Sequence, residues 1–140
     1  MRGQRQEARS KMQDLRSKKK PIKSYKDLKV YRLSYKLATE IFHLSKKFPK
    51  EEIYSLTAQI RNSSRSVPAN IAEGWAKRRY EQVFKRHLVD AIGSCEETKV
   101  WLDFSYDCDY IKSNEHRNFS VRYEEVSKML NGLLEKWQTF

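Results

Sequence analysis

Glu40 and His43 stand three positions apart, a spacing at which a helix turns both side chains to one side. A Glu-x-x-His pair of this kind is one part of the di-metal carboxylate sites built inside helical bundles, which need a second such pair and two further carboxylates. The chain has one Glu-x-x-His. His87 and Asp90 share a helical side, and Glu96 with Glu97 adds acidity, but capping and salt bridging account for these residues without a metal. Ser63, Ser64, Ser66 and Ser94 have no persuasive local arrangement to activate a hydroxyl, and Ser63, Ser64 and Ser94 suit close helix packing. No Walker loop or dinucleotide fingerprint is present. The expectation is therefore a protein without catalytic group, metal or cofactor, and not an enzyme.

Positive charge is the more informative chemistry. From Arg61 to His87, seven basic residues (Arg61, Arg65, Lys77, Arg78, Arg79, Lys85 and Arg86) face two acidic ones, Glu73 and Glu81, a net +5 with His neutral. Arg61 and Arg65 are one helical turn apart and share a face. Such side chains position phosphates through electrostatics and shape, and salt weakens the contact strongly. Arg61, Arg65, Lys77, Arg78, Arg79 and Arg86 are the candidate nucleic-acid contacts, against the plain alternative of a solvated charge face. Trp75 and Tyr80 interleave with the run and suit either stacking on unpaired bases or filling a seam. No zinc finger, RNA-recognition strand motif, GXXG loop or helix-turn-helix points to reading of particular bases.

Within SVPANIAEGWAKRR, Ser66 to Arg79, the residues Pro68, Asn70, Glu73 and Gly74 read as a structural junction. A polar side chain inside a bundle needs a partner. Asn70 and Glu73 are expected to satisfy groups opened by a bend at Pro68, or to meet an Arg across a subunit boundary. Gly74 is expected to supply a left-handed cap.

Helices must position all of these groups, and apolar residues recurring at alternating steps of four and three mark them. The first is predicted from Leu28 to Phe48, with Val30, Ser34, Leu37, Ile41, Leu44 and Phe48 inward, capped by Asp27 and stopped by Pro49. The second is predicted over Glu51 to Glu73, with Ile53, Leu56, Ile60, Ser63, Val67 and Ile71 inward and a kink at Pro68. The third spans Tyr80 to Tyr106, presenting Phe84, Leu88, Ala91, Cys95, Thr98, Leu102 and Ser105. The fourth spans Glu115 to Trp137 through Phe119, Tyr123, Val126, Leu130 and Leu133, weakened modestly by Gly132. Four amphipathic helices of this length, joined by short links, predict an all-α, antiparallel up-down-up-down four-helix bundle over residues 25–140.

The chain has 140 residues and a formal charge of +11, with 39% hydrophobic residues, which fits one domain with a small core that can lean on a partner subunit. Residues 1–24 hold nine Lys or Arg and two acidic residues, a net +7, and have few apolar anchors. They predict a flexible or partly helical basic arm, suited to nucleic acid, an anionic membrane or an acidic protein, or a solubilising tail. No apolar run reaches the roughly 20 residues of a membrane span, and no signal peptide precedes the bundle, so the expected location is cytoplasmic, with no membrane partner. Cys95 and Cys108 are too few for a disulfide scaffold and are expected reduced.

The stretches IYSLTAQIRNSSRSVPANIAEGWAKR and YEQVFKRHLVDAIGSCEETKVWL carry a resemblance. Phe48-Pro49, Tyr54-Ser55-Leu56, Gln59-Ile60, Asn70-Ile71-Ala72-Glu73-Gly74, and Ala91 through Gly93-Ser94 to Glu97 occur in an order that resembles the four-helix bundle proteins encoded within bacterial 23S ribosomal RNA intervening sequences. The resemblance covers about Tyr25 to Trp137. It implies a cytoplasmic, non-enzymatic bundle that assembles as a homopentamer. It extends more distantly to the accessory variability proteins of diversity-generating retroelements, and so implies RNA, a ribonucleoprotein or a reverse transcriptase as partner. The basic segment before Tyr25 departs from the usual short start of that family.

Overall fold

The side chains of Val30, Ser34, Leu37, Ile41 and Leu44 are buried on one stripe of helix α1 (Lys29–Ser45). Leu56, Ile60, Ser63, Val67 and Ile71 do the same on α2 (Leu56–Ala76). On α3 (Glu81–Asp107) the buried set is Phe84, Leu88, Ala91, Cys95, Thr98, Leu102 and Ser105, and on α4 (Ser113–Lys136) it includes Phe119, Tyr123, Val126 and Leu130. Each large apolar side chain taken fully from water contributes about 1.5–3 kcal/mol, so the four stripes must close on one another. The computed structural model describes residues 21–137, and among these there is no strand. Consecutive helices pack against each other and α4 returns against α1. This is an all-α, up-down-up-down four-helix bundle. Residues 1–20 of the expected basic arm, and 138–140, lie outside the described residues.

Several local expectations change. Asp27 does not cap α1: its carboxylate accepts from the backbone N–H groups of Lys23 and Ser24, both at 3.0 Å, closing a capping box on the 3-10 turn Tyr25–Asp27. Ile53 is exposed rather than inward, because a 3-10 turn at Lys50–Glu52 and the broken backbone of Ser55 (φ −124, ψ −105) delay α2 to Leu56. The helical stripe has no meaning before that point. α2 then runs through Pro68 as one helix to Ala76.

Gly74 is not a left-handed cap. It lies inside α2, and no described glycine has positive φ. A Cβ there would sit 2.7 Å from the Cβ of His87 and 3.5 Å from Phe84 Cδ2, so the glycine permits α2 and α3 to approach closely. The left-handed residue is Asp109 (φ 63), just beyond α3. The Asp109 N–H donates to the Tyr106 carbonyl at 3.0 Å and the Tyr110 N–H to the Ser105 carbonyl at 2.9 Å, the paired bonds of a Schellman ending.

One pole of the bundle is fastened by that ending. The Tyr110 hydroxyl donates to Glu52 at 2.8 Å and its ring lies 5.5 Å from that of Phe48. Hydrogen bonds from Ser55 and Tyr110 hold the Glu52 carboxyl below its usual range, and the bond to Glu52 pushes the Tyr110 phenol up to about 12. At the other pole Trp75, Phe84 and Trp137 form an aromatic lid, with centroids 6.2 Å apart for Trp75–Trp137 and 4.5 Å for Phe84–Trp137.

The glycine reading is testable by urea unfolding. Gly74→Ala should lower stability by about 1–2 kcal/mol, because overpacking outweighs the helix-propensity gain. Gly93→Ala and Gly132→Ala, where an added Cβ would meet nothing within 4 Å, should raise it by up to about 1 kcal/mol.

Candidate functional site

Three polar rungs join α2 to α3. Thr98 Oγ1 donates to Ser63 Oγ at 2.9 Å, Ser94 Oγ to Ser66 Oγ at 3.0 Å, and His87 Nδ1 lies 3.2 Å from Asn70 Oδ1. Each step along α2 is matched by an opposite step along α3, as antiparallel packing requires. Asn70 is fixed by its own helix, since Nδ2 donates to the Ser66 carbonyl at 2.9 Å and to Ser66 Oγ at 3.1 Å. Its oxygen therefore faces His87, and a neutral His87 must carry its proton on Nδ1 to donate. Pro68 withdraws the donor for the Ser64 carbonyl, four residues back. Asn70 serves the Ser66 carbonyl instead, so the junction joins two helices rather than repairing the proline position.

Glu73 stands on the exposed edge of this junction. Its carboxylate pairs with Lys77 at 3.2 Å and lies 3.8 Å from His87 Nδ1. The four junction residues thus divide: Asn70 and Gly74 set the α2–α3 seam, Pro68 is buried on α2, and Glu73 ties the last turn of α2 to the following loop.

The candidate cations do not form one patch. Arg61 is half-buried, donates through Nε to Ser45 Oγ at 2.7 Å, and holds its guanidinium 4.7 Å from the Phe42 ring centroid. Arg65, one turn on, is exposed and 5.5 Å from the same ring, and Lys46 Nζ is 4.8 Å from it. Lys77, Arg78 and Arg79 lie about 18 Å further along the α2 axis, in the exposed turn between α2 and α3. Arg78 donates to the Trp75 carbonyl at 2.9 Å and stacks 4.2 Å over the Trp75 ring. Arg86 is exposed on the second turn of α3. Of the two interleaved aromatics, Trp75 is buried in the aromatic lid and Tyr80 is exposed.

Residues 21–24 enter α1 at the pole that carries the Lys77–Arg79 turn, because α1 begins where α2 ends and the Tyr25–Asp27 turn packs on α2. The +7 segment of the sequence is therefore tethered at the pole with three consecutive cations.

The other groups weighed for chemistry are dispersed over the bundle. Glu40 is held in a fork by Arg122, which donates from Nη1 to Oε1 at 2.9 Å and from Nη2 to Oε2, and this pairing keeps the carboxyl below its usual range. His43 is exposed beside it on α1. Glu96 pairs with Lys99 at 3.3 Å and Glu97 accepts from Trp101 Nε1 at 3.2 Å. Burial pushes the Cys95 thiol up to about 12, while Cys108 is exposed, and both are free. Among the described residues no group of three or more His, Cys, Asp or Glu side chains is placed to hold a metal ion, and no helix is long and apolar enough to cross a membrane.

Sequence reasoning missed a groove on the outer side of α1 and α2. Tyr25, Tyr31, Tyr35 and Phe42 line it with Arg65 and Pro68, around a volume of about 420 Å³. The signal was present as Tyr31 and Tyr35 at a helical repeat, off the buried stripe.

These features define a class: an antiparallel four-helix bundle whose ionisable side chains lie largely outside. The chain belongs to the 23S rRNA-intervening sequence protein family, whose model matches residues 26–132. It is similar to the crystal structure of a protein with unknown function from the S23 ribosomal protein family of Bacteroides thetaiotaomicron. The identity is 25%, the match covers 76% of this chain and 95% of that chain, and the TM-score is 0.69. No curated protein matches the chain.

The division of the junction predicts unequal mutants. Asn70→Ala should cost about 1–2 kcal/mol in chemical denaturation, since it leaves His87 and Ser66 without their partner. Glu73→Gln should cost less than about 1 kcal/mol, because its ion pair is exposed.

Proposed function

We propose that this protein is a non-enzymatic, cytoplasmic assembly protein that engages structured RNA or a ribonucleoprotein through its basic surfaces. The observation that carries the reading is the convergence at one pole of the Lys77–Arg79 turn and the attachment point of the +7 N-terminal segment. Membership in a family named for 23S rRNA supports it. Clustered cations concentrate the potential that a phosphate chain meets, and release of its counterions supplies most of the affinity. Of the candidate contacts, Arg65, Arg79 and Arg86 are exposed, whereas Lys77, Arg61 and Arg78 are partly committed to Glu73, Ser45 and Trp75. Repetition of the pole in a ring of copies, a homopentamer on the resemblance, would multiply that potential.

The assembly part has its own support. Val89, Val100 and Phe104 are exposed on α3 at spacings of one outward stripe, with Val121 exposed on α4. Singly such residues mean little, but a stripe suits contact with another protein surface. A second reading uses the same stripe for a different partner, making the protein an adaptor, for a reverse transcriptase among others, with RNA contact secondary.

Titration with fluorescent structured RNA, after nuclease treatment of the protein, tests the first reading. Wild type should bind with a steep salt dependence, and the combined variant Lys77→Gln, Arg78→Gln, Arg79→Gln should bind at least tenfold more weakly with a shallower salt slope. No binding at low salt would remove the RNA reading, and partner capture that survives high salt without nucleic acid would favour the adaptor. Light scattering tests assembly separately. Wild type should exceed the monomer mass, and Phe104→Glu, at an exposed position, should lower the mass without loss of helicity.

A further inference from the structure

We propose that the tyrosine groove between α1 and α2 is a stacking site for a single-stranded segment of RNA. The inference rests on the RNA reading above and adds to it a second, chemically different contact, which takes unpaired bases rather than phosphates alone.

The groove has the two components that such recognition needs. Tyr31 and Tyr35 present successive rings with centroids 5.9 Å apart, and Tyr25 meets Tyr31 edge-on at 4.8 Å. Tyr35 is 58% exposed and Tyr25 and Tyr31 are half-buried, so the Tyr35 ring is the one most open to a ligand. The floor is made of Ala38, Ala69 and Ala72, whose small side chains let a flat group approach the helices. At the far end Phe42 collects Lys46, Arg61 and Arg65 within 5.5 Å of its ring centroid. Aromatic faces stack on any base and the cations meet the phosphates that follow.

Charge favours an anionic strand over a basic or neutral partner. Arg65 is the only charged side chain among the residues that line the groove. The carboxylates of the flanking elements are engaged elsewhere: Asp27 by backbone N–H groups, Glu40 by Arg122, and Glu73 by Lys77. From Tyr31 to Phe42 the groove follows α1 for about 16 Å, the length of four or five stacked nucleotides at roughly 3.4 Å each. Its Tyr25 end lies at the pole of the Lys77–Arg79 turn, so a structured RNA held there can extend an unpaired strand down the groove.

The test compares a uridylate of about ten nucleotides with an abasic ribose-phosphate chain of the same length and charge, by fluorescence anisotropy on the full-length protein. Wild type should bind the uridylate at least tenfold more tightly than the abasic chain. Tyr35→Ala should lose about fivefold or more for the uridylate and nothing for the abasic chain, with the helical circular dichroism unchanged. Arg65→Gln should weaken both chains and lower the salt slope by about one. The variant with Lys77, Arg78 and Arg79 changed to Gln should keep the base-to-abasic ratio while binding more weakly. Equal affinity for the two chains, or uridylate binding unmoved by Tyr35→Ala, overturns the groove and leaves the RNA reading standing. Absence of binding by either chain and by structured RNA overturns both. If Tyr35→Ala instead lowers the mass seen by light scattering, the groove is a contact between copies and the proposal is wrong.

Discussion

The close approach of α2 and α3 governs the rest of the molecule. It is possible because Gly74 has no Cβ to meet His87, and it is held in one register by the rungs Ser63–Thr98, Ser66–Ser94 and Asn70–His87. An apolar seam alone would tolerate sliding by a turn, since Leu, Ile and Val present similar surfaces at each repeat. Small polar pairs tolerate it less, because a shifted rung gives up the hydrogen bonds between the two helices. The register in turn sets where the four-residue link Lys77–Tyr80 emerges and how its three cations are displayed. It also places the outer side of α2, with Arg65, Ala69 and Ala72, beside the tyrosines of α1.

The opposite seam is built on a different principle. α1 and α4 are the most sparsely packed neighbours in the bundle. They are joined across the surface by the forked Arg122–Glu40 pair and by Lys47–Glu115 at 3.1 Å. Both carboxyls are held below their usual range, Glu40 chiefly by Arg122 and Glu115 chiefly by the backbone N–H of Lys112. A group with a lowered native value adds stability that is present above the ordinary glutamate range and is lost as pH falls through that lowered value. The Arg122–Glu40 contact is thus an acid-sensitive part of the α1–α4 seam, as the Lys99–Glu124 pair is of the α3–α4 seam. The Ser63–Thr98 and Ser66–Ser94 rungs, made of hydroxyls, have no such dependence.

The fold was legible because helical periodicity records burial directly. All seven residues expected to face inward on α3 are buried, as are all six on the first helix segment. Periodicity fails where the backbone leaves the helix, and so Ile53 was assigned a face it does not have. Gly74 shows a second limit: a glycine near the end of a helical pattern suits both a left-handed cap and a close crossing, and only the position of His87 on another helix separates them. Asp109, which does take the left-handed conformation, carried no glycine signal. The candidate cations were legible as charge but not as surface. Whether Arg61 points to solvent or to Ser45 depends on where α1 lies, and that contact spans 16 residues of sequence. The tyrosine groove was harder still, since it is made from the outward sides of two helices, where no burial pattern marks a residue.

Interior and exterior are sharply divided in what they can contribute to recognition. Burial drives the Cys95 thiol up to about 12 and the Tyr123 phenol higher, so the core keeps its titratable groups neutral. The charges that remain are on the outside, and many are already spent in pairs with short reach, such as Lys99 with Glu96 and Glu124. Pairing of this kind cancels the field at a distance, so a solvated face with balanced charge offers a polyanion little. What distinguishes the Lys77–Arg79 turn is excess: of its three consecutive cations, one is countered by Glu73. An approaching phosphate chain responds to that uncancelled excess over roughly a Debye length, about 8–10 Å at physiological salt. Stacking acts only on contact. On the proposed RNA reading, attraction by charge at one end and stacking along the side would separate capture from discrimination, with the packed α1–α2 pair setting the geometry between the two.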